Sequence, residues 1–347
     1  MSARQKPEEL QRKLPQKTNR IEGKMLKVLY AGSPEASAKT LKLLKEKENL
    51  FDYKIVGVLT NPPTAKGRHK ALVPTFVAQV AQELGIPVFS PEHLDSAARE
   101  EVLKLGADIL VSFAYGHIFG PKFLGLFKFG GINLHPSALP KYRGCAPINA
   151  AILNGDRETA FSVQKLDLKM DEGNLLAQEI VSLDGTETAG SLLDMAATRG
   201  AELICGILCD VSKNGALAEG IPQSGEASYT TFIKKEDAKI DWNESAEKID
   251  CKVRAYNPEP VAWTTENSLP LKIISGLPLK GEEEKNISIE ENSLPGTVLC
   301  VLKNKGIVIK CGTGFFAVTK LQRQGKNAMD YKSFLNGAKD FIGKKLI

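Results

Sequence analysis

Apolar and polar positions follow two patterns along the chain, and the first covers residues 26 to about 212. Short apolar runs predict strands at 26–31, 53–60, 108–113, 130–134 and 161–166, and amphipathic stretches predict helices at 37–47, 73–84, 146–153 and 191–211. Strands that alternate with helices form βαβ units, whose right-handed crossovers place helices on both faces of a mainly parallel sheet. We therefore predict a Rossmann-like α/β domain over residues 25–212, with its ligand at the carboxyl ends of the strands.

The second pattern begins after residue 213. Residues 213–231 contain the glycine-bounded and proline-containing run 220–225, which predicts a linker. Beyond it, one amphipathic stretch predicts a helix at 244–254, and short apolar runs broken by Pro, Gly and Asn predict strands at 271–275, 296–302, 306–309 and 314–320. Several short strands with regular turn signals indicate a small OB-like β-barrel over residues 232–347.

The first 24 residues are polar and have no sustained apolar face, so we expect a disordered tail ahead of Met25. The tail carries seven lysines and arginines against three glutamates. Because mitochondrial presequences are poor in acidic residues, the glutamates favour a bacterial-type cytoplasm over an organelle matrix.

Six cysteines without a Cys-x-x-Cys pair fit a reducing compartment. No apolar run approaches the roughly 18 residues of a membrane span, so we expect no membrane partner.

The net charge of +5 is concentrated near the two ends of the chain. Residues 301–347 carry ten lysines and arginines against two aspartates. A short stretch of such excess charge favours a polyanionic partner. A solvated basic edge fits the charge count equally well.

The candidate chemistry lies in the segment 131–148. Side chains alternate faces along a strand, so Asn133 and His135 point the same way, and Pro136 favours ending the strand directly after them. An amide that stabilises an oxyanion beside an imidazole that moves a proton suits acyl transfer. By itself, an Asn-x-His pair fits a structural histidine at a strand end better than a catalytic one.

A carboxylate near His135 would favour its charged form and fix its ring. The segment 166–173 offers candidates in a glycine-bounded loop after a strand. Spacing alone does not choose between Asp167, Asp171 and Glu172. No cluster of His, Cys and Asp residues has metal-ligand spacing, so we expect no metal.

The run Asn133-Leu-His-Pro-Ser-Ala-Leu-Pro-Lys-Tyr-Arg-Gly144, with Ala146-Pro-Ile148 and Gly155-Asp156, resembles the signature of the tetrahydrofolate-dependent formyltransferases. The resemblance implies that Asn133, His135 and Asp171 are catalytic and that 10-formyltetrahydrofolate donates the formyl group. The family's folate-contacting stretch falls on Ser137, Ala138, Leu139 and Pro140, where Ala138 replaces the usual leucine. That replacement loses apolar contact but no reacting group.

Further stretches are similar to the family members that formylate initiator methionyl-tRNA, namely 30–35, 58–70, 235–242 with 254–258, and 321–329. The resemblance places the functional arginine of a basic acceptor-stem loop on Arg68, although the amino-acid sequence of this loop differs from the one usual in the family. Phosphate contacts to a tRNA need basic side chains. The expected tRNA-binding residues are Lys66, Arg68, Lys70, Lys303, Lys305, Lys320, Arg323 and Lys326.

Three other functions compete with tRNA formylation. A formyltransferase acting on a sugar nucleotide or small amine would share the catalytic residues and differ in the C-terminal domain. A catalytically silent RNA-binding protein is disfavoured by the intact Asn133, His135 and Asp171. A nucleotide-binding oxidoreductase is disfavoured because no Gly-x-Gly-x-x-Gly follows the first strand. One chain contains a complete set of expected site residues, which favours a monomer.

Overall fold

The computed structural model describes residues 25–66, 71–285, 287 and 293–347. The expected tail 1–24 and the basic-loop residues Arg68 and Lys70 lie outside the described residues. The chain divides into two compact units. The first unit contains the described residues up to Pro147 with Glu158–Ser182 and Leu193–Thr231, and the second contains Ile148–Arg157, Leu183–Leu192 and Phe232–Ile347.

The elements up to residue 231 follow the predicted alternation of strands and helices. In chain order they are β1 (Leu26–Gly32), α1 (Glu35–Lys47), β2 (Tyr53–Leu59), β3 (Thr64–Lys66), β4 (Ala71–Val73), α2 (Phe76–Glu83), β5 (Val88–Phe89), α3 (Ser96–Lys104), β6 (Ile109–Phe113), α4 (Pro121–Leu124), β7 (Gly131–His135), β8 (Arg143–Gly144), α5 (Pro147–Leu153), β9 (Glu158–Lys165), β10 (Leu175–Ser182), α6 (Ala189–Asn214) and β11 (Tyr229–Thr230).

The first unit is built on a seven-stranded sheet in the order β10-β9-β7-β6-β1-β2-β5. The five strands from β7 to β5 are parallel, which confirms the predicted mainly parallel α/β sheet. Strands β9 and β10 are antiparallel to their neighbours. Their connection is too short for the crossover that parallel pairing needs, so they form a hairpin at the edge.

The central strands are apolar at consecutive positions because both faces of the sheet are covered. In β1, Val28, Leu29 and Tyr30 have no exposed surface, and neither have Leu110 and Val111 on the neighbouring β6. The sequence pattern found these strands because burial on both faces removes the alternation of polar and apolar residues. This core anchors the strand ends that carry the polar residues.

Helix α6 packs closely against β7. A Cβ atom on Gly200 would lie 2.2 Å from a methyl carbon of Leu134, so only glycine allows the observed separation at this point. Leu134 is buried and lies between Asn133 and His135 on β7. Helix α6 therefore fixes the position of β7 through one face of the strand, and the candidate catalytic residues Asn133 and His135 lie on the other face.

The second unit contains an antiparallel sheet and the remaining elements. They are α7 (Ala246–Ala255), β12 (Trp263–Glu266), β13 (Leu269–Pro278), α8 (Glu282–Lys285), β14 (Val298–Leu302), β15 (Gly306–Lys310), β16 (Phe315–Arg323), β17 (Met329–Asp330) and α9 (Tyr331–Asn336), with a 3₁₀ turn at Lys235–Ala238.

This second sheet has the order β12-β13-β16-β15-β14, with β17 also paired to β16. The register between β13 and β16 shifts on both sides of Ser275. Such irregularities bend a strand and increase its twist, so the sheet curls into a half-barrel of the predicted small β type. Its inner side packs around Trp242, Phe316 and Phe341. No helix in the described part of the chain is long and apolar enough to cross a membrane.

Replacing Gly200 by alanine should lower the free energy of unfolding of the first unit by about 1–3 kcal/mol, because Leu134 or the helix must shift. Gly206 on the same helix provides the matched control, since a Cβ there would meet no atom within 4 Å. Gly206→Ala should stabilise the unit by about 0.5–1 kcal/mol through helix propensity. Urea unfolding followed by circular dichroism measures both changes. Equal effects at the two glycines would contradict this account of the contact.

Candidate active site

Strand β7 presents Asn133 and His135 on one face near its carboxyl end. Across the sheet, Asn133 is in register with Ser112 on β6 and Gln164 on β9, while His135 is opposite Ser162. His135 is buried and Asn133 is partly exposed. The predicted pair therefore belongs to a row of polar side chains that crosses three strands.

Asp171 lies in the loop between β9 and β10, and its carboxylate faces His135. Its Oδ2 atom is 3.5 Å from Nδ1 of His135, and only 13% of its side chain is exposed. The backbone N–H of Gly144 donates to Oδ2 at 2.8 Å, and the side-chain amide of Gln164 donates to Oδ1 at 2.7 Å. Asp171 has φ 55°, a left-handed conformation that aspartate tolerates better than most residues. The structure thus brings together Asp171 and His135.

The other ring nitrogen of His135 also faces an acceptor. Its Nε2 atom lies 2.9 Å from the carbonyl oxygen of Tyr142, which has φ 60°. A carbonyl only accepts hydrogen bonds, so Nε2 is the donor in this contact. An imidazolium can donate to both Tyr142 and Asp171, whereas a neutral ring carries a proton on only one nitrogen. The site is arranged to orient the ring and to accommodate its charged form.

The expected folate-contacting stretch forms a tight turn after β7. The Ser137 hydroxyl is buried and donates to the carbonyl of Lys141 at 2.6 Å, and the Ser137 carbonyl accepts from the Ser162 hydroxyl at 2.6 Å. Leu139 and Pro140 are buried, whereas Ala138 is partly exposed. Ser137 therefore holds the turn together, and the side chain that a ligand can reach in this stretch is Ala138.

The segment expected to be a linker contributes to the site. Strand β11 pairs in parallel with β8, beside the turn that follows β7. Gln223 donates to the backbone carbonyls of Asp171 at 2.8 Å and Gly173 at 2.9 Å. Sequence reasoning missed both Gln164 and Gln223. Gln164 gave a usable signal, because it is a polar residue within the apolar run 161–166 that predicts a strand, but Gln223 gave none.

The expected tRNA-binding lysines and arginine of the second unit fall into two groups. Lys303, Lys320 and Lys326 are exposed. Lys305 pairs with Glu283, and Arg323 forms a two-pronged hydrogen-bonded pair with Glu266, both bonds measuring 2.7 Å. Lys66 ends the short strand β3 in the first unit.

Glu266 is the acidic centre of this ion-pair cluster. Burial alone would raise the pKa of its carboxyl group, but hydrogen bonds and charges from Arg323 and Lys344 hold that pKa below its ordinary value. Glu266 stays ionised near neutral pH, and its negative charge offsets the positive charges of Arg323 and Lys344. A charge count over residues 301–347 includes both cations but not Glu266. The basic character of the second unit is concentrated on fewer side chains than the sequence indicates.

The second unit also has a groove that sequence reasoning missed. Its cavity measures about 420 Å³ and is lined in part by Trp263, Lys272 and Arg323. The ammonium groups of Lys235 and Lys239 each lie 5.7 Å from the centre of the Trp263 ring. Lysines around an aromatic face suit a ligand that has both negative charge and flat rings. Across residues 25–66, 71–285, 287 and 293–347, no three His, Cys, Asp or Glu side chains are grouped to hold a metal ion.

Comparison with known proteins identifies the family. The chain matches the family described as formyl transferase over residues 26–208 and the formyl transferase C-terminal domain over residues 232–339. It is 38% identical over 326 residues to the methionyl-tRNA formyltransferase of Treponema denticola, across 91% of this chain and 98% of that protein.

Two solved structures have a similar fold. HypX from Aquifex aeolicus in complex with tetrahydrofolic acid has a TM-score of 0.62 and 14% identity, across 92% of this chain and 48% of HypX, so the chain spans about half of that protein. The methionyl-tRNA formyltransferase from Clostridium thermocellum has a TM-score of 0.52 and 17% identity, across 77% of this chain and 95% of that one. These structural likenesses support the fold, and the sequence matches cover both units. The chain belongs to the formyl transferase family.

Proposed function

We infer that this protein transfers the formyl group of 10-formyltetrahydrofolate to the α-amine of initiator methionyl-tRNA. The observation that carries this inference is the match to a methionyl-tRNA formyltransferase over 98% of that relative's length, including the C-terminal domain. The local geometry is compatible with the reaction, because His135 and the carboxylate of Asp171 meet beside the polar row that contains Asn133. The product is N-formylmethionyl-tRNA, used in translation initiation.

The reaction begins when the amine nitrogen of methionyl-tRNA attacks the formyl carbon of the donor. A new C–N bond forms, and the carbonyl oxygen becomes the oxyanion of a tetrahedral intermediate. The side-chain amide of Asn133 stabilises this oxyanion by donating a hydrogen bond. The bond between the formyl carbon and N10 of the folate then breaks, and its electron pair returns to N10.

The proton lost by the amine reaches N10 through His135. The ring accepts this proton and passes it to the departing nitrogen, while Asp171 stabilises the imidazolium that exists in between. Gly144 and Gln164 hold the carboxylate in place during this exchange. In the neutral ring that accepts this proton, the ring's own proton is on Nδ1, where it faces Asp171, and Nε2 has left the Tyr142 carbonyl so that its lone pair is free.

A covalent route through Cys145 is disfavoured. Partial burial and then the negative charge of Asp171 raise the pKa of this thiol above its ordinary value. Thiolate, rather than thiol, is the attacking species in covalent catalysis, so a raised pKa opposes it. Direct transfer between the two substrates needs no enzyme nucleophile.

The proposed substrate contacts follow from the family resemblance and from the exposure of the side chains. We place the folate beside the 137–140 turn, where Ala138 is accessible. The exposed side chains of Lys303, Lys320 and Lys326 supply phosphate contacts for tRNA. The groove beside Trp263 provides a further surface for contacts with the tRNA. Lys66, Arg68, Lys70, Lys305 and Arg323 complete the proposed set of tRNA-binding residues.

The direct test offers labelled 10-formyltetrahydrofolate together with three separate acceptors. We expect labelled formylmethionyl-tRNA and much less product with glycinamide ribonucleotide or an amino-sugar nucleotide. Formylation of only a small acceptor would instead establish the sugar-nucleotide or small-amine alternative.

We further propose that the protein acts as a monomer in a bacterial-type cytoplasm, in keeping with its bacterial relatives. Light scattering of the purified chain tests the monomer.

Asn133→Ala should lower kcat about 10²–10³-fold, because one oxyanion donor is worth roughly 3–4 kcal/mol. The KM for 10-formyltetrahydrofolate should change much less, since the interaction acts in the transition state. Steady-state formylation of methionyl-tRNA measures both constants. Turnover close to that of the unmodified protein would remove Asn133 from the catalytic group.

Replacing Lys303, Lys320 and Lys326 together by glutamate should raise the KM for methionyl-tRNA while leaving the KM for the folate unchanged. Each lost phosphate contact should also reduce the slope of log affinity against log salt by about one. A matched control replaces Lys42, Lys54 and Lys122, which are also exposed, by glutamate in the first unit. If both triple variants weakened tRNA binding equally, net charge rather than this surface would be responsible.

Asp171→Asn should speed the alkylation of Cys145 by iodoacetamide at neutral pH. Removing the negative charge lowers the thiol pKa and raises the thiolate fraction. Peptide mass spectrometry follows Cys145 separately from the other cysteines, with Cys300 as the internal reference.

Cys145→Ser should retain formylation activity. Complete loss of activity in that variant would reopen the covalent route.

A further inference from the structure

Gln223 occupies the centre of a hydrogen-bond network around Asp171. Its Nε2 atom lies 2.8 Å from the carbonyl oxygen of Asp171, 2.9 Å from that of Gly173 and 3.1 Å from Oε1 of Gln164. A primary amide has two N–H groups, so three acceptors use its full donor capacity. Gln223 therefore touches the backbone of Asp171 and also Gln164, which donates to the carboxylate of Asp171.

The orientation of the Gln223 amide is determined by Arg143. The side-chain oxygen of Gln223 accepts from Nε and Nη2 of Arg143 at 3.1 and 2.8 Å. Arg143 has only donors, so a flipped amide would direct two N–H groups at a cation and its oxygen at three other oxygens. Only one orientation satisfies both sides.

Arg143 is itself held firmly. Its Nη1 atom donates to the hydroxyl of Tyr229 at 2.9 Å and lies 3.2 Å from the carboxylate of Glu172. The Tyr229 hydroxyl donates to the same carboxylate at 3.0 Å. Only 11% of the Arg143 side chain is exposed. These contacts connect Gln223 to the residue that follows Asp171 in the chain.

Backbone hydrogen bonds fix the chain on both sides of Gln223. Ile221 and Leu175 exchange two backbone hydrogen bonds of 2.8 Å. Further along, the N–H of Arg143 donates to the carbonyl of Ser228 at 2.9 Å. Gln223 is therefore not at the tip of an unattached linker, because its segment is bound to β10 before it and to β8 after it.

The loop that carries Asp171 depends on such outside support. Residues 167–170 of this loop are exposed, and Asp171 adopts the left-handed region. Its carboxylate faces His135 at 3.5 Å, so a small displacement changes the contact greatly. Misplacement of a catalytic group by about 1 Å can cost roughly 10²-fold in rate.

We propose that Gln223 is a positioning residue for formyl transfer, which holds the Asp171 loop so that its carboxylate faces His135. The proposal rests on the catalytic role proposed above for His135 and Asp171. Gln223 acts through the carbonyls of Asp171 and Gly173 and through Gln164. The segment between α6 and residue 232 is thus part of the active-site structure as well as a connection along the chain.

The test compares two substitutions that separate the two ends of the amide. Gln223→Ala removes all contacts, and Gln223→Glu keeps an acceptor for Arg143 but replaces the N–H donors with a second oxygen facing three acceptors. Both should lower kcat for methionyl-tRNA formylation about ten- to a hundred-fold, with each KM within about two-fold of its original value. Gln82→Ala, an exposed glutamine on α2, is the matched control and should have unchanged kcat.

The ring signals of His135 provide a second readout that a purely structural role would not move. The chain has four histidines, and His135→Gln assigns the signals of this one in ¹⁵N-labelled protein. In Gln223→Ala the His135 signals should shift while the other histidine signals stay in place and the melting temperature changes little. Unchanged His135 signals, or full activity in Gln223→Glu, would overturn the proposal.

These outcomes are distinct from failure of the proposed function. If the unmodified protein formylated another amine and not methionyl-tRNA, the acceptor assignment would be wrong, and the Gln223 variants would be compared on the amine that reacts. If it formylated methionyl-tRNA and the Gln223 variants matched it in kcat, the positioning role alone would be wrong.

Discussion

The carboxylate of Asp171 is held by donors from different parts of the first unit, and the arrangement of the site depends on that restraint. Gly144 and Gln164 donate to its two oxygens, and Gln223 donates to its backbone carbonyl. With the carboxylate fixed, His135 has one acceptor on each side of its ring. A carboxylate on an exposed loop can adopt many positions. These hydrogen-bond donors restrain it to one position, as a strand or helix would restrain a side chain that it carries.

The path of the loop explains why several separate segments are needed. Leu166 donates to the carbonyl of Gly131, at the amino end of β7, whereas His135 is at the carboxyl end of the same strand. The loop must therefore fold back over the sheet to bring Asp171 to His135. Gly173 allows the return, because a Cβ there would lie 1.9 Å from the carbonyl oxygen of Lys165. An antiparallel hairpin next to a parallel sheet makes this geometry possible.

The second unit shows how tertiary contacts change the meaning of a charge count. Arg323 and Lys344 both bind Glu266, which lies far from them in the sequence, and Lys305 pairs with Glu283. A count over the last 47 residues includes these cations at full value. A phosphate group is attracted by the field of the folded surface, in which paired charges largely cancel. Exposed lysines are therefore the better guide to an RNA-facing surface than total charge.

The sequence by itself determined the local features of this protein. Apolar periodicity located β1, β7 and α6 to within a few residues, and strand alternation put Asn133 and His135 on one face, because these patterns arise between near neighbours in the chain. Spacing did not choose Asp171 over Asp167 or Glu172; family resemblance did. Strand patterning gave a signal at Gln164, but only the tertiary structure showed its hydrogen bond to Asp171 and the contacts of Gln223. Side-chain hydrogen bonds across the fold, such as the one between Arg143 and Gln223 80 positions apart, leave no periodic signal in the sequence.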